Sequence, residues 1–448
     1  MDASLGGSLE RETLRKVYLR VVPCCFVLFI VCYIDRINVS IAALTMNRDL
    51  GLSAHVYGLA AGAFFWSYCL LAVPSNLILH KVGAGRWLGS IMIAWGLVGA
   101  ATALAVGPVS FFILRVLLGA AESGLFPGLM VYIYRWFPQN HRSKAVGWFM
   151  ISMTLASVVG SPMSTGFLHF DGIAGLRGWQ WVFVGEGIPT ALLGVVALFV
   201  LTERPSEARW LKPEGRSWLE AELAKETHEI ERGHHSSGLA AMGNPRVLVL
   251  SLLWAGIVWA DVGLVFFIPQ FLRGAGASVT QAGLFSALPY VFGTLAMIAF
   301  GYISDHPIRG VDLTKYRFGV LVVVSGLATI GLVLAAALHT SLFWVLVGFS
   351  LANIGIFGFR PPFLPLPSVF LTGSAVAAGI ALINALGNFA GYVGAIAVGY
   401  ARDITGNFEA AIYVLAAGSL VAGLAALGCC LWWVPRTAGQ ATLRSAEH

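Results

Sequence analysis

Residues 21–44 read VVPCCFVLFIVCYIDRINVSIAAL. Almost every side chain in this stretch is apolar. A helix of that length crosses a bilayer core, for which about 20 residues suffice. Near its end stand Asp35 and Arg36, adjacent ionisable residues in an otherwise apolar run. Each costs roughly 2.5–3.5 kcal/mol at bilayer depth unless it finds a partner or a wet cavity. The run is too long for the core of a cleaved signal, and no small-residue cleavage site stands out. It predicts an uncleaved first span behind a basic lead of Arg11, Arg15, Lys16 and Arg20.

The same pattern recurs along the chain. Further apolar runs fall near 56–79, 87–106, 109–134, 144–168 and 180–201, and again near 247–272, 281–303, 317–338, 341–371, 375–401 and 409–434. A charged segment, 202–246, separates the two sets. Its Trp210, Trp218 and Leu219 among many charges predict a short amphipathic surface helix. Composition agrees: of 448 residues, 58% are hydrophobic and only 11% charged, where a soluble domain carries about 25%. That deficit excludes disorder, a charged tail protein and nearly every soluble enzyme. The fold class predicted is an all-α membrane protein of 12 transmembrane helices in two six-helix bundles. Its boundaries are an N-terminal bundle at 1–201, a cytoplasmic linker at 202–246 and a C-terminal bundle at 247–448.

The formal net charge of +6 reads as topology and not as nucleic-acid binding. With the N-terminus placed in the cytoplasm, 21 of the 28 Lys and Arg fall on that side, and only Arg48, Arg177, Arg273 and Arg402 on the other. Positive charge concentrates on the cytoplasmic side of membrane proteins. The expectation is therefore a cell inner-membrane protein with both termini cytoplasmic. The six cysteines, Cys24, Cys25, Cys32, Cys69, Cys429 and Cys430, sit in or beside apolar runs, which predicts buried, inert thiols with neither a disulfide framework nor a metal site. Many of the 52 glycines lie inside spans, where small residues let helices approach closely.

Seven charges remain at membrane depth: Arg36, Arg115, Arg360, Asp35, Glu122, Glu186 and Asp261. Six lie on spans 1, 4, 7 and 10, every third helix; Glu186, near the outer end of span 6, does not. Arg115 and Glu122 are seven residues apart and share a helix face, as do Tyr33 and Arg36 at a spacing of three. The six sum to zero. If one carboxyl takes a proton, the set gains one positive charge, which one substrate carboxylate can neutralise. That is a physical route from proton uptake to anion uptake. Tyr33 and Tyr68, aromatics at membrane depth, are the better ligand candidates among the rings near these charges. No nucleophile–base pair or metal-spaced cluster lies inside the spans, so neither an enzyme nor a metal or other cofactor is expected.

These residues carry a resemblance. Tyr-Ile-Asp-Arg-Ile-Asn at 33–38, the run from Arg115 to Gly128 with Ala-Glu-Ser-Gly-Leu-Phe-Pro-Gly at its end, and Trp136-Phe137-Pro138 before Arg142 are part of it. So are Gly178-Trp179-Gln180-Trp181 leading to Glu186-Gly187-Ile188-Pro189, Arg-Pro-Ser-Glu-Ala-Arg-Trp-Leu at 204–211 and Ala-Ala-Gly-Ile-Ala-Leu-Ile-Asn-Ala-Leu-Gly-Asn at 377–388. In this order they resemble the anion:cation symporter family of the major facilitator superfamily, in particular bacterial tartrate/phthalate-type organic-acid permeases. The resemblance implies two six-helix bundles around a central cavity lined by spans 1, 4, 7 and 10, working by alternating access. It implies protonation at Asp35 and Glu122, a substrate carboxylate at Arg36, and Arg115 beside its neighbouring acid. It implies substrate contacts at Tyr33, Tyr68 and Asn384. The partners expected are a small organic anion and the lipid bilayer, with a proton as coupling ion and one chain as the working unit.

The sequence departs from that family at His80, where an acid is usual, and at Ser304-Asp305-His306-Pro307, which lacks an arginine-rich continuation. Span 10 carries Arg360-Pro361-Pro362-Phe363-Leu364 in place of a Gly-Pro-Phe-Trp-like run. Arg360 and Asp261 are both unusual. Either they pair within the second bundle or Arg360 binds a second substrate carboxylate. Two other functions stay open. Gly160-Ser161-Pro162 and Gly166 loosely resemble an antiporter signature, which suggests exchange or efflux. A receptor that binds an organic acid without moving it is the third reading.

Overall fold

The computed structural model describes residues 2–232, 243–308, 311–371 and 374–433. Among the described residues there are helices and turns but no strands. In hydrocarbon every backbone N–H and C=O must be satisfied within the segment, so apolar runs of this length become helices. Twelve of them are long and apolar enough to cross a membrane: 9–49, 54–79, 84–104, 108–136, 139–168 and 178–200, then 245–274, 279–305, 313–337, 342–369, 378–405 and 409–432. All twelve lie where the apolar runs place them. The first begins earlier than its apolar run because helix continues outward through the basic lead.

The chain divides into two compact units, one of residues 1–45 and 63–234, the other of residues 46–62 and 235–448. Helices α1 (Asp2–Asp49) and α2 (Ala54–Val82) lie mostly in the first unit, and with α3 (Ala84–Ala101) they precede a span built of two pieces, α4 (Pro108–Glu122) and α5 (Leu125–Trp136). The break falls at Ser123 and Gly124, directly after the buried Glu122. Next come α6 (Gln139–Leu168) and α7 (Gly178–Val200). Helices α3 and α7 cross at glycines. A Cβ added at Gly96 would lie 2.7 Å from the Gly187 carbonyl oxygen, and one added at Gly187 would lie 2.7 Å from that of Gly96. Only hydrogen fits at either position.

The predicted amphipathic helix is α8 (Pro213–Arg232). Leu219 is fully buried in the apolar core of the first unit, with Trp210 and Trp218 packed against that core. Trp210 stacks on Trp136 with ring centroids 5.3 Å apart, under the Arg20 guanidinium. Lys212 pairs with Glu12 at 3.0 Å. The described part of the linker is thus docked by aromatic burial.

In the second unit, α9 (Pro245–Gly274) starts with Asn244 as cap, its side chain accepting from the Arg246 N–H at 2.9 Å. Next, α10 (Val279–Phe285) opens with a reciprocal box. Ser278 Oγ accepts from the Gln281 N–H at 3.1 Å, and Gln281 Oε1 from the Ser278 N–H at 2.9 Å. These caps satisfy amide donors that a helix start leaves bare. Helices α11 (Leu288–Asp305) and α12 (Leu313–Ala337) follow. The next span is broken into α13 (Leu342–Gly358), α14 (Arg360–Phe363) and α15 (Leu366–Phe370). Pro361, Pro362, Pro365 and Pro367 supply no amide donors there. Last come α16 (Ser374–Thr405) and α17 (Glu409–Gly428).

Candidate functional site

The first unit brings five of the predicted residues onto one cluster. Glu122, at the last turn of α4, is fully buried. Its Oε1 accepts from Arg36 Nε at 2.6 Å, and Arg36 Nη2 closes the ion pair on the same oxygen. Arg36 keeps 20% of its side chain exposed while Glu122 keeps none, so only the cation of the pair meets an accessible surface. Three rings frame that cation, their centroids 5.0 Å (Tyr68), 5.3 Å (Phe64) and 5.8 Å (Tyr33) from Arg36 Cζ. This is the geometry of a guanidinium over aromatic faces. Arg115, also buried, lies over the same Phe64 ring at 5.3 Å. Phe64 therefore serves both guanidiniums.

The expected assignment of Arg36 to a substrate carboxylate meets a refinement here. In this structure the Arg36 guanidinium is taken by the carboxylate of Glu122, so a substrate anion would have to compete with Glu122 for it. Cys32 is a second finding. Read from sequence as an inert thiol, it donates Sγ–H to Glu122 Oε1 at 3.0 Å. It stands one helical turn before Arg36, and that spacing was the available signal.

Asp35 points elsewhere. It is buried and accepts from Trp95 Nε1 at 2.6 Å and from Asn38 Nδ2 at 2.8 Å. A Cβ at Gly99 would touch it at 3.5 Å. Two adjacent residues on α1 thus face different clusters, as a 100° step per residue requires. Neither Trp95 nor Asn38 was legible as a site residue, since one is an indole among many in the spans and the other a lone amide.

In the second unit, Arg360 Nη2 donates to Asp261 Oδ2 at 2.6 Å. The pair is nearly enclosed, with 13% and 11% of the side chains exposed. The guanidinium also lies over the Phe357 ring at 4.5 Å. Of the two arrangements foreseen, the structure holds the ion pair. Trp254 stacks on Phe363 with centroids 5.0 Å apart. Asn384 is exposed on α16. The six cysteines are free, and among the described residues no group of His, Cys, Asp and Glu is placed to hold a metal. The side chain of His80 lies outside the described residues.

The family model of the Major Facilitator Superfamily matches residues 24–395. The chain belongs to the Major Facilitator Superfamily. A protein of Agrobacterium vitis named "Putative tartrate transporter" is 40% identical over 426 residues, which are 95% of this chain and 93% of that one. A "Quinolone resistance transporter" of Acinetobacter baumannii is 37% identical over 407 residues, 91% of this chain and 92% of its own. Among solved structures, a bacterial homologue of the human lysosomal transporter Spinster superposes with a TM-score of 0.74 at 17% identity, covering 92% of this chain and 96% of that one. That likeness establishes the fold. This member of the superfamily is a multi-pass membrane transporter and not an enzyme.

Proposed function

We propose that the protein is a secondary active transporter importing a small organic anion together with a proton. The carboxylate class spans tartrate-like diacids, sugar acids and aromatic acids. The observation that carries the reading is the buried Glu122 held by the partly accessible Arg36. Protonating Glu122 removes the negative partner of Arg36. The freed guanidinium then offers two parallel N–H donors to a carboxylate, the geometry in which arginine binds such groups best. Tyr33 and Tyr68 beside it supply phenol donors and ring faces. When the proton leaves, Glu122 reclaims Arg36 and displaces the anion. Competition for one guanidinium thus couples the two fluxes. The similarity to the tartrate transporter by name makes tartrate the first probe. The bias of basic residues supports cytoplasmic termini and an inner-membrane location.

The test is uptake of labelled tartrate and related acids into proteoliposomes with and without an inward proton gradient. Uptake should rise with the gradient and lose that dependence in Glu122→Gln. Uptake indifferent to both the gradient and the substitution overturns the reading. The relative named for quinolone resistance motivates a second reading, export or exchange. Substrate-driven counterflow with no proton requirement would select it.

A further inference from the structure

The first unit buries more acid than base. Arg36 and Arg115 oppose Asp35, Glu122 and Glu186, one negative charge too many for an interior that penalises any unbalanced charge. Glu122 is matched by Arg36. The surplus lies with the other two acids, and the hydrogen-bond donors that reach them are neutral: Trp95 and Asn38 on Asp35, Ser164 on Glu186.

Glu186 is 5% exposed. Its Oε1 accepts from Ser164 Oγ at 2.6 Å, while its Oε2 is buried with no partner. Asn38, fully buried, gives one Nδ2–H to Asp35, and its Oδ1 is buried with no partner. The Asn38 amide stands within interacting reach of the Glu186 carboxyl. Each orphaned acceptor is costly in a dry interior. A single proton on Glu186 Oε2 turns one of them into a donor. The same proton cancels the surplus charge.

We propose that Glu186 is a second proton-carrying residue of this transporter, its Oε2–H donating to Asn38 Oδ1 and, through the Asn38 amide, holding Asp35. The surroundings define the linkage. From α4, Arg115 attracts and Glu122 repels the Asp35 carboxylate. Among the described residues, α3 contributes the neutral Trp95 and α6 the Ser164 hydroxyl. Gly99 and Gly187 seal the gap, since a Cβ at Gly99 would lie 3.5 Å from Asp35 Oδ1 and 3.9 Å from Gly187 Cα. Asp35 and Glu186 repel each other as carboxylates. One proton on the pair relieves that repulsion, and it is separate from the Glu122 proton invoked for coupling.

This inference rests on the proton-coupled reading for its role in transport, but its test does not need a substrate. The experiment is infrared difference spectroscopy of the purified full chain in lipid nanodiscs, stepped between acidic and alkaline pH. A protonated carboxyl absorbs at a C=O frequency distinct from that of a carboxylate. The wild type should show a protonated-carboxyl band that Glu186→Gln lacks. Ser164→Ala should shift that band, because it removes the bond to the same carboxyl. If Glu186→Gln does not fold, the Ser164→Ala shift decides alone. A wild-type spectrum unchanged by either substitution overturns the proposal. Proton-independent uptake with the band present would sink the symport reading and leave Glu186 as a proton carrier. Proton-driven uptake without the band would do the reverse.

Discussion

Arg36 Nε donates to Glu122 Oε1 at 2.6 Å, across 86 residues of sequence. The bond joins a buried acid to a cation that retains access. One partner can exchange a proton and the other can exchange an anion, and neither event leaves the other unaffected.

Neutralising the acid should therefore uncouple the two fluxes. In Glu122→Gln the guanidinium is permanently without its carboxylate, so anion exchange persists while the proton no longer counts. Wild-type uptake should fall as external pH rises, because the proton is a co-substrate. The variant's uptake should be flat with pH, and its accumulation under a proton gradient should drop by at least about tenfold, the equivalent of roughly 1.4 kcal/mol. Proteoliposome uptake and counterflow, measured side by side, separate the two effects.

Arg36 should not be replaceable by lysine. Its guanidinium uses Nε and Nη2 on one carboxylate oxygen and lies over three rings, and an ammonium can reproduce neither the fork nor the stacking. Arg36→Lys should keep the charge, fold normally and weaken anion binding by about 1–3 kcal/mol, the scale of a charged hydrogen bond. Thermal shift with tartrate measures this directly, since a bound ligand raises stability by mass action.

The spans were legible in the sequence because a bilayer demands length and apolarity and little else. The charges were legible because so few residues at that depth are ionisable. Pairing was not. Trp95 meets Asp35 across 60 residues, and Arg360 meets Asp261 across 99. Which residue faces which depends on the rotation of each helix about its axis, and apolar runs hydrophobic on all sides do not encode that rotation. Cys32 and Asn38 were hidden for the same reason. Each is an ordinary small residue until α1 turns it toward an acid. Glu186 was visible but lay off the series of every third helix, and its partner Ser164 is one of several serines on α6.

The crossing of α3 and α7 makes a stability prediction. At Gly96 and Gly187 each backbone fills the space of the other's missing Cβ, at 2.7 Å from a carbonyl oxygen. Gly187→Ala must push the helices apart or break the seal beside Asp35. The expected cost is about 1–3 kcal/mol, as for overpacked cores, read as a lower melting temperature in detergent. Gly166→Ala, where an added Cβ meets nothing within 4 Å, should be neutral and serves as the control.

The Asp261–Arg360 pair distinguishes structure from substrate binding. Its two side chains are 11% and 13% exposed, so removing one strands the other's charge. If the pair is structural, Asp261→Asn and Arg360→Gln should each destabilise the protein more than the double substitution does. A coupling of about 0.5–3 kcal/mol should appear in the cycle. Uptake should then be recovered in part in the double variant. If Arg360 instead serves a second substrate carboxylate, Asp261→Asn should leave uptake intact and Arg360→Gln should abolish it for diacids while sparing monoacids. Melting curves and a panel of mono- and dicarboxylates, run on the three variants, decide between them.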